Sequence, residues 1–262
     1  MSIITIMTDF GLKDGFVGVM RGVIWSIAPE VRIADISHQI AAQDVYEGAL
    51  VLARSAPYFP DGTIHIAVVD PGVGTTRRPI AAMIGKHFFV GPDNGLFTPL
   101  YTEAERNGWP VEVVHLDRPR FWRKEISYVF HGRDIFSPVA AHLANGVPLN
   151  EMGTPIQDPI RLEISQPERS DQGWRSSIVH IDNFGNLATS LLQEHLEGMD
   201  VKTVRLCGRE IQGMVHTFGD RPVGELVALI GSTGNLVVCV VNGNAARELG
   251  AKKGDMVEVL AN

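Results

Sequence analysis

The segment IAVVDPGVGTTRR at 66–78 carries a carboxylate out of a strand into a glycine-rich turn and follows it with two arginines, Arg77 and Arg78. The apolar run containing Ile64, Ile66, Val68 and Val69 predicts an interior strand, which Pro71 ends by removing a ladder donor. Asp70 therefore stands at a strand's carboxyl end, where open α/β sheets bind ligands. Gly72 and Gly74 let the backbone bend tightly there or approach a ligand closely. Taken alone, a DPG turn with an arginine nearby is better explained as scaffold, Asp70 capping the turn and pairing with Arg77 or Arg78.

Recurrence tips the balance toward chemistry. The amino-terminal IITIMTDFG runs an apolar strand into Thr8, Asp9 and Gly11, with Asp14 just beyond, and FFVGPDNG at 88–95 repeats the design. Three strands each ending in Asp and Gly can bring their carboxylates to one edge of one sheet, which a purely structural role does not require. A fourth piece, FHGRDIF at 130–136, packs His131, Arg133 and Asp134 between aromatic residues.

The positioning elements follow from hydrophobic spacing. Strand 3–7 leads to a helix over about 15–28 that Pro29 stops. Strand 31–36 follows, then a helix over about 43–56 opened by Asp44, then the 64–69 strand. IAAMIG and KHFFVG resemble a hairpin, VEVVHL at 111–116 a strand, and residues 134–144 a helix. This rhythm predicts an α/β domain over 1–165, a mostly parallel sheet flanked by helices. The polar EISQPERSDQG is a connection. Beyond it, the short strands SSIVHID, TVRLCG, LVALIG, LVVCVV and MVEVL, separated by glycine turns, predict a smaller all-β, barrel-like domain over 166–262.

Bulk properties exclude other classes. A net charge of −7 over 262 residues and the lack of any basic run longer than two residues give no footprint for nucleic acid. Cys207 and Cys239 lie in apolar, strand-like contexts and are expected in the core. With no signal-peptide pattern and no apolar run near the ~20 residues that span a bilayer, the expected location is cytoplasmic, with no membrane partner.

TDFG at 8–11, VVDPGVGTTRR at 68–78, GPDNG at 91–95, HGRDIF at 131–136, DNFGN at 182–186 and GSTGNL at 231–236 occur in an order that resembles the S-adenosyl-L-methionine (SAM) hydroxide adenosyltransferases, SAM hydrolases related to fluorinase and chlorinase. The resemblance spans nearly the whole chain. It implies a homotrimer with SAM at subunit interfaces, and displacement of methionine by water-derived hydroxide at the ribose C5′, with no cofactor and no metal. The catalytic set it implies is Asp70, Arg77 and His131, with Arg78 the neighbour that points elsewhere in an extended segment. Either Asp70 or His131 would accept a proton or orient the water.

The resemblance also implies binding roles. Asp9 would take both ribose hydroxyls; Asp14, Asp182 and Ser232 would lie near the methionine ammonium and carboxylate; Phe184, Asn186, Phe218 and the backbone from Val240 to Ala245 would surround adenine. The strand after GxL carries Val237 and Val238 where relatives often show an acidic residue.

Three competing readings remain in view at this level. A halogenase would form a 5′-halo-adenosine, but His131 and Arg77 favour hydrolysis. A metal-dependent phosphohydrolase would use Asp9, Asp14, Asp70, Asp93, His131 and Asp134 as ligands for manganese or iron, although arginine beside the carboxylates repels a cation. A non-catalytic SAM-binding module would take up ligand without turnover.

Overall fold

The computed structural model describes residues 2–261, and contacts divide the chain between Leu162 and Glu163 into two compact units. In the first unit the elements run β1 (Ile3–Thr8), α1 (Phe16–Ile27), β2 (Arg32–Ser37), α2 (Val45–Ser55), β3 (Ile64–Val68), β4 (Pro79–Ile84), β5 (His87–Pro92), α3 (Thr98–Asn107), β6 (Val111–His115), α4 (Ser137–Ala144) and β7 (Thr154–Pro155).

The sheet order is β2-β1-β3-β5-β4-β6-β7. Pairing is parallel across β2, β1, β3 and β5, and antiparallel from the β4–β5 hairpin outward. The tight turn at Gly85 and Lys86 dictates that switch, because a two-residue connection reverses the chain whereas a parallel partner needs a crossover. Alternate strand residues feed two separate cores. Ile4, Ile6, Ile64, Ile66 and Val68 pack with Met20, Ile24, Phe136 and Val139 of the α1 and α4 region. Met7, Ala67 and Val69 pack with Ala49, Leu52 and Leu100 of α2 and α3.

Local chemistry sets the helix ends. Asp44 caps α2 by accepting from the Glu47 N–H at 2.8 Å. Helix α3 carries little periodic signal in sequence: it is short and mostly polar, and Gly108 closes it in the left-handed conformation.

The second unit contains β8 (Glu168–Ser170), β9 (Gly173–Ile181), β10 (Leu187–Leu192), β11 (Val201–Leu206), β12 (Arg209–Gln212), β13 (Leu226–Ile230), β14 (Asn235–Val240), the short helix α5 (Ala245–Leu249) and β15 (Met256–Ala261). Its antiparallel order is β12-β11-β15-β9-β10-β14-β13, with β8 on β9. The edge strands β12 and β13 approach each other, so the sheet is nearly closed into a barrel. Ile178, Leu187, Val204, Leu236 and Val257 fill it. One expectation is corrected here. Cys239 is buried, but Cys207 is exposed at a positive φ of 46° in the β11–β12 turn, because TVRLCG ends its strand at Leu206.

Among the described residues no helix is long and apolar enough to cross a membrane.

Candidate active site

Parallel pairing of β1, β3 and β5 puts the ends of all three strands, and so Asp9, Asp70 and Asp93, on one edge of the first unit's sheet. The three carboxylates then part company. Asp70 Oδ1 accepts from Arg77 Nε at 3.1 Å, and Oδ2 accepts from Arg77 Nη2. The same Nη2 lies 3.1 Å from His131 Nδ1. Asp93 is only 1% exposed. It receives Arg78 Nε at 2.8 Å and the Ile160 N–H at 2.8 Å, while Arg78 also holds Asp158.

Gly74 joins the Asp70 turn to the His131 segment. Its φ is +77°, and a Cβ there would stand 2.2 Å from the Tyr128 carbonyl oxygen, so only glycine permits this approach. His131 opens a π-helical turn over Gly132–Phe136 that runs into α4. The widening has a cause in sequence. Pro138 has no N–H to offer the Asp134 carbonyl, which takes the Arg123 N–H at 2.9 Å instead, while the Ser137 N–H reaches back to Gly132. The fully buried Asp134 carboxylate binds Arg133, Arg123 and the Ser127 N–H, stapling the loop before His131 in place.

Arg77 and Asp70 side chains are 6% and 5% exposed, and the Arg77 guanidinium sits 5.6 Å from the Phe136 ring centroid. Burial raises the Asp70 carboxyl above its ordinary range, against the pull of Arg77 and His131. Burial, then the Arg77 charge, hold the His131 imidazole below its ordinary range, against Asp70 and Asp134. Arg77 Nη1 is buried without a hydrogen-bond partner among the described residues.

The other expected residues fall as follows. Asp9 Oδ2 accepts the Gln43 N–H at 2.8 Å, and Asp14 is exposed. In the second unit, Asp182 Oδ1 accepts from the Phe184 and Asn186 N–H groups and Oδ2 from Asn186 Nδ2, so this carboxylate shapes its own turn. Phe184 is 72% and Phe218 48% exposed; Ser232 is exposed on the β13–β14 turn. Val240 and Ala245 are buried in the barrel core. Asn94 carries no chemical signal in sequence beyond its place in a turn. Its Nδ2 donates to the Val69 carbonyl at 2.9 Å, fixing the end of the strand that presents Asp70.

Among the described residues no three His, Cys, Asp or Glu side chains are arranged to hold a metal ion. Asp134 and Asp93 are committed to arginines, so they do not join Asp70 as a ligand set.

Residues 4–153 match the description SAM hydroxide adenosyltransferase N-terminal domain, and 176–258 the corresponding C-terminal domain. The chain is 40% identical to an (R)-S-adenosyl-L-methionine hydrolase of Salinispora tropica, covering 98% of this chain and 97% of that one. A fluorinase of Actinoplanes is 29% identical over 271 residues, covering 90% of each chain. An uncharacterized conserved protein of Thermotoga maritima, known from a crystal structure, superposes with a TM-score of 0.90 at 35% identity, covering 98% of this chain and 99% of that one.

Proposed function

The chain belongs to the SAM hydroxide adenosyltransferase family, and on that premise we propose that it hydrolyses S-adenosyl-L-methionine to adenosine and L-methionine by in-line attack of water at C5′. The (R) sulfonium configuration comes with the name of its relative. The observation that carries the reading is the double contact of Arg77 Nη2, with Asp70 on one side and His131 on the other.

That contact assigns the protons. A guanidinium has only hydrogens to offer, so His131 Nδ1 accepts and a neutral imidazole carries its proton on Nε2. His131 thus presents an N–H donor to a water oxygen. Asp70 has four lone-pair positions; Arg77 Nε, Arg77 Nη2 and the Gly72 N–H fill three. The fourth accepts a proton from the same water, and a carboxyl raised by burial is a better base than an ordinary one. The roles divide: Asp70 takes the proton, His131 orients the oxygen, and Arg77 holds both.

In the chemical step the water oxygen bonds to C5′, the C5′–S bond breaks, and its electron pair neutralises the sulfonium as a thioether. The proton passes to Asp70 and then to solvent. No covalent intermediate is needed. Alignment of a held water can supply up to ~7–11 kcal/mol of the barrier in favourable cases.

We assign Asp9 to the ribose hydroxyls, Asp14 and Ser232 to the methionine end, and Phe184, Asn186, Phe218 and the Val240–Ala245 backbone to adenine. Asp182 acts through the turn it closes. The proposal includes a homotrimer with sites at subunit interfaces, a cytoplasmic location and independence from metal. Leu12 and Val129, 70% and 78% exposed in the first unit, are apolar surface such an interface would cover.

The test is incubation of purified protein with each SAM epimer and EDTA, followed by chromatography. Adenosine and methionine are expected. A 5′-halo-adenosine at physiological chloride, loss of activity with EDTA, or binding without turnover would each overturn the reading in favour of a different class.

A further inference from the structure

Thr8 and His38 are both buried, at 0% and 4% exposure, and the Thr8 Oγ1 lies 2.9 Å from His38 Nδ1. His38 Nε2 faces Asp35 Oδ1 at 3.1 Å, and Asp35 is paired through its other oxygen with Arg21 of α1. A register slip brings these groups together. Ile6 pairs with Asp35 but Met7 with Ser37, so β2 bulges by one residue beside the end of β1. Bulges of this kind re-aim side chains next to functional sites.

The Phe10 N–H can only donate, and it points at Thr8 Oγ1 at 3.2 Å. Asp35 Oδ1 lies within ion-pair distance of His38 Nε2, which makes no hydrogen bond in good geometry among the described residues. Thr8 Oγ1 and His38 Nδ1 share one proton in either tautomer, so the contact holds the turn whichever of the two donates. His38 also acts through its backbone, whose carbonyl accepts the Gly11 N–H at 2.8 Å. One residue therefore grips the TDFG turn at Thr8 and again at Gly11, and Asp9 lies between the two grips.

We infer that His38 is a positioning residue for ribose recognition: with Asp35 behind it, it sets the turn that aims the Asp9 carboxylate. The inference rests on the reading of Asp9 as the ribose-binding group. Among the described residues one Asp9 oxygen is tied down, by the Gln43 N–H. Its aim toward a diol thus depends on the backbone at 8–11, which His38 holds. Neither Thr8 nor His38 needs to touch substrate.

The readout is discrimination between SAM and its 2′-deoxyribosyl analogue, measured as the ratio of kcat/KM values for wild type, Asp9→Ala, His38→Ala, His38→Asn and Thr8→Val. Wild type prefers SAM and Asp9→Ala loses that preference. His38→Ala and the near-isosteric Thr8→Val lose about tenfold of it, the worth of one buried hydrogen bond, mainly through KM. His38→Asn, whose amide can stand at the Nδ1 position, recovers most of it. Adding His38→Ala to Asp9→Ala costs no further selectivity. Full preference retained by folded His38→Ala or by Thr8→Val overturns the positioning role while leaving Asp9's role intact. Absence of preference in wild type, or its survival in Asp9→Ala, overturns the ribose assignment and the inference with it.

Discussion

Arg77 and Arg78 are neighbours in the chain, yet their guanidinium groups serve different carboxylates: Arg77 holds Asp70 and reaches His131, whereas Arg78 holds Asp93 and Asp158. Alternation along an extended segment separates them, so one arginine meets the pair proposed for chemistry and the next ties two other carboxylates.

Replacement separates the two roles. Arg77→Lys removes the bidentate fork and the contact to His131 together, because an ammonium cannot reproduce a planar guanidinium. Its kcat is expected to fall by about two orders of magnitude or more, the range of a lost acid–base or orienting group. Arg78→Ala instead leaves Asp93 buried and short of its cation, lowering stability by up to about 3 kcal/mol. In the folded protein kcat stays within a few-fold of wild type. Steady-state kinetics and denaturant unfolding measure both effects.

The donor role proposed for His131 makes glutamine a better substitute than alanine. The Gln Nε2 carries N–H groups near the lost Nε2–H, and His131→Gln is expected to retain about tenfold more kcat than His131→Ala, as one charge-neutral hydrogen bond is worth. Burial keeps the wild-type imidazole neutral below its ordinary value of 6.5, so the acid limb of kcat/KM lies below that pH. An acid limb at or above 6.5, or equal activity of the two variants, contradicts the donor role.

Gly74→Ala places a methyl group against the Tyr128 carbonyl at a backbone angle that L residues resist. The Asp70 turn and the His131 segment must then separate. Activity is expected to fall by about two orders of magnitude, as small misplacements do, with a modest loss of melting temperature. Gly62→Ala, also at positive φ but with open space around it, is the control: it carries the backbone strain without the collision.

Stability is expected to depend on pH through His65. This imidazole is fully buried, bonded at Nδ1 to Thr5 Oγ1 and stacked on Phe89, and burial followed by the neighbouring His87 pushes it down to about 3. Between that value and its ordinary 6.5 the unfolded chain binds the extra proton, so stability rises with pH there. It is complete above 6.5 and is lost as pH falls toward 3. The slope from this one group approaches about 1.4 kcal/mol per pH unit. Paired replacement of Thr5→Val with His65→Phe should flatten the acid side by one proton in urea titrations; an unchanged slope contradicts the assignment.

Much of this arrangement is legible in the chain. Apolar periodicity marks β1, α1, β2, α2 and β3, Asp44 announces the start of α2, and Asp, Gly and Pro mark where strands end. Helix α3 escapes because its polar surface and short apolar face carry little periodic signal, and Cys207 misleads because an apolar strand run continues into a turn. The site resists reading for a different reason. Arg77 and His131 are 54 positions apart, and nothing local reveals that they meet, or that Asp134 is saturated by two arginines. His38 looks like one of several scattered histidines until parallel pairing and a one-residue bulge set it against Thr8.

The central claim is that solvent, held by Asp70 and His131, attacks C5′. Hydrolysis of SAM in heavy-oxygen water, with mass spectrometry of both products, tests it most directly. The account predicts that the label enters the 5′-hydroxyl of adenosine and is absent from methionine, at a rate cut by about two to four orders of magnitude in Asp70→Asn. Unlabelled adenosine, or label incorporated at the wild-type rate by Asp70→Asn, would contradict it.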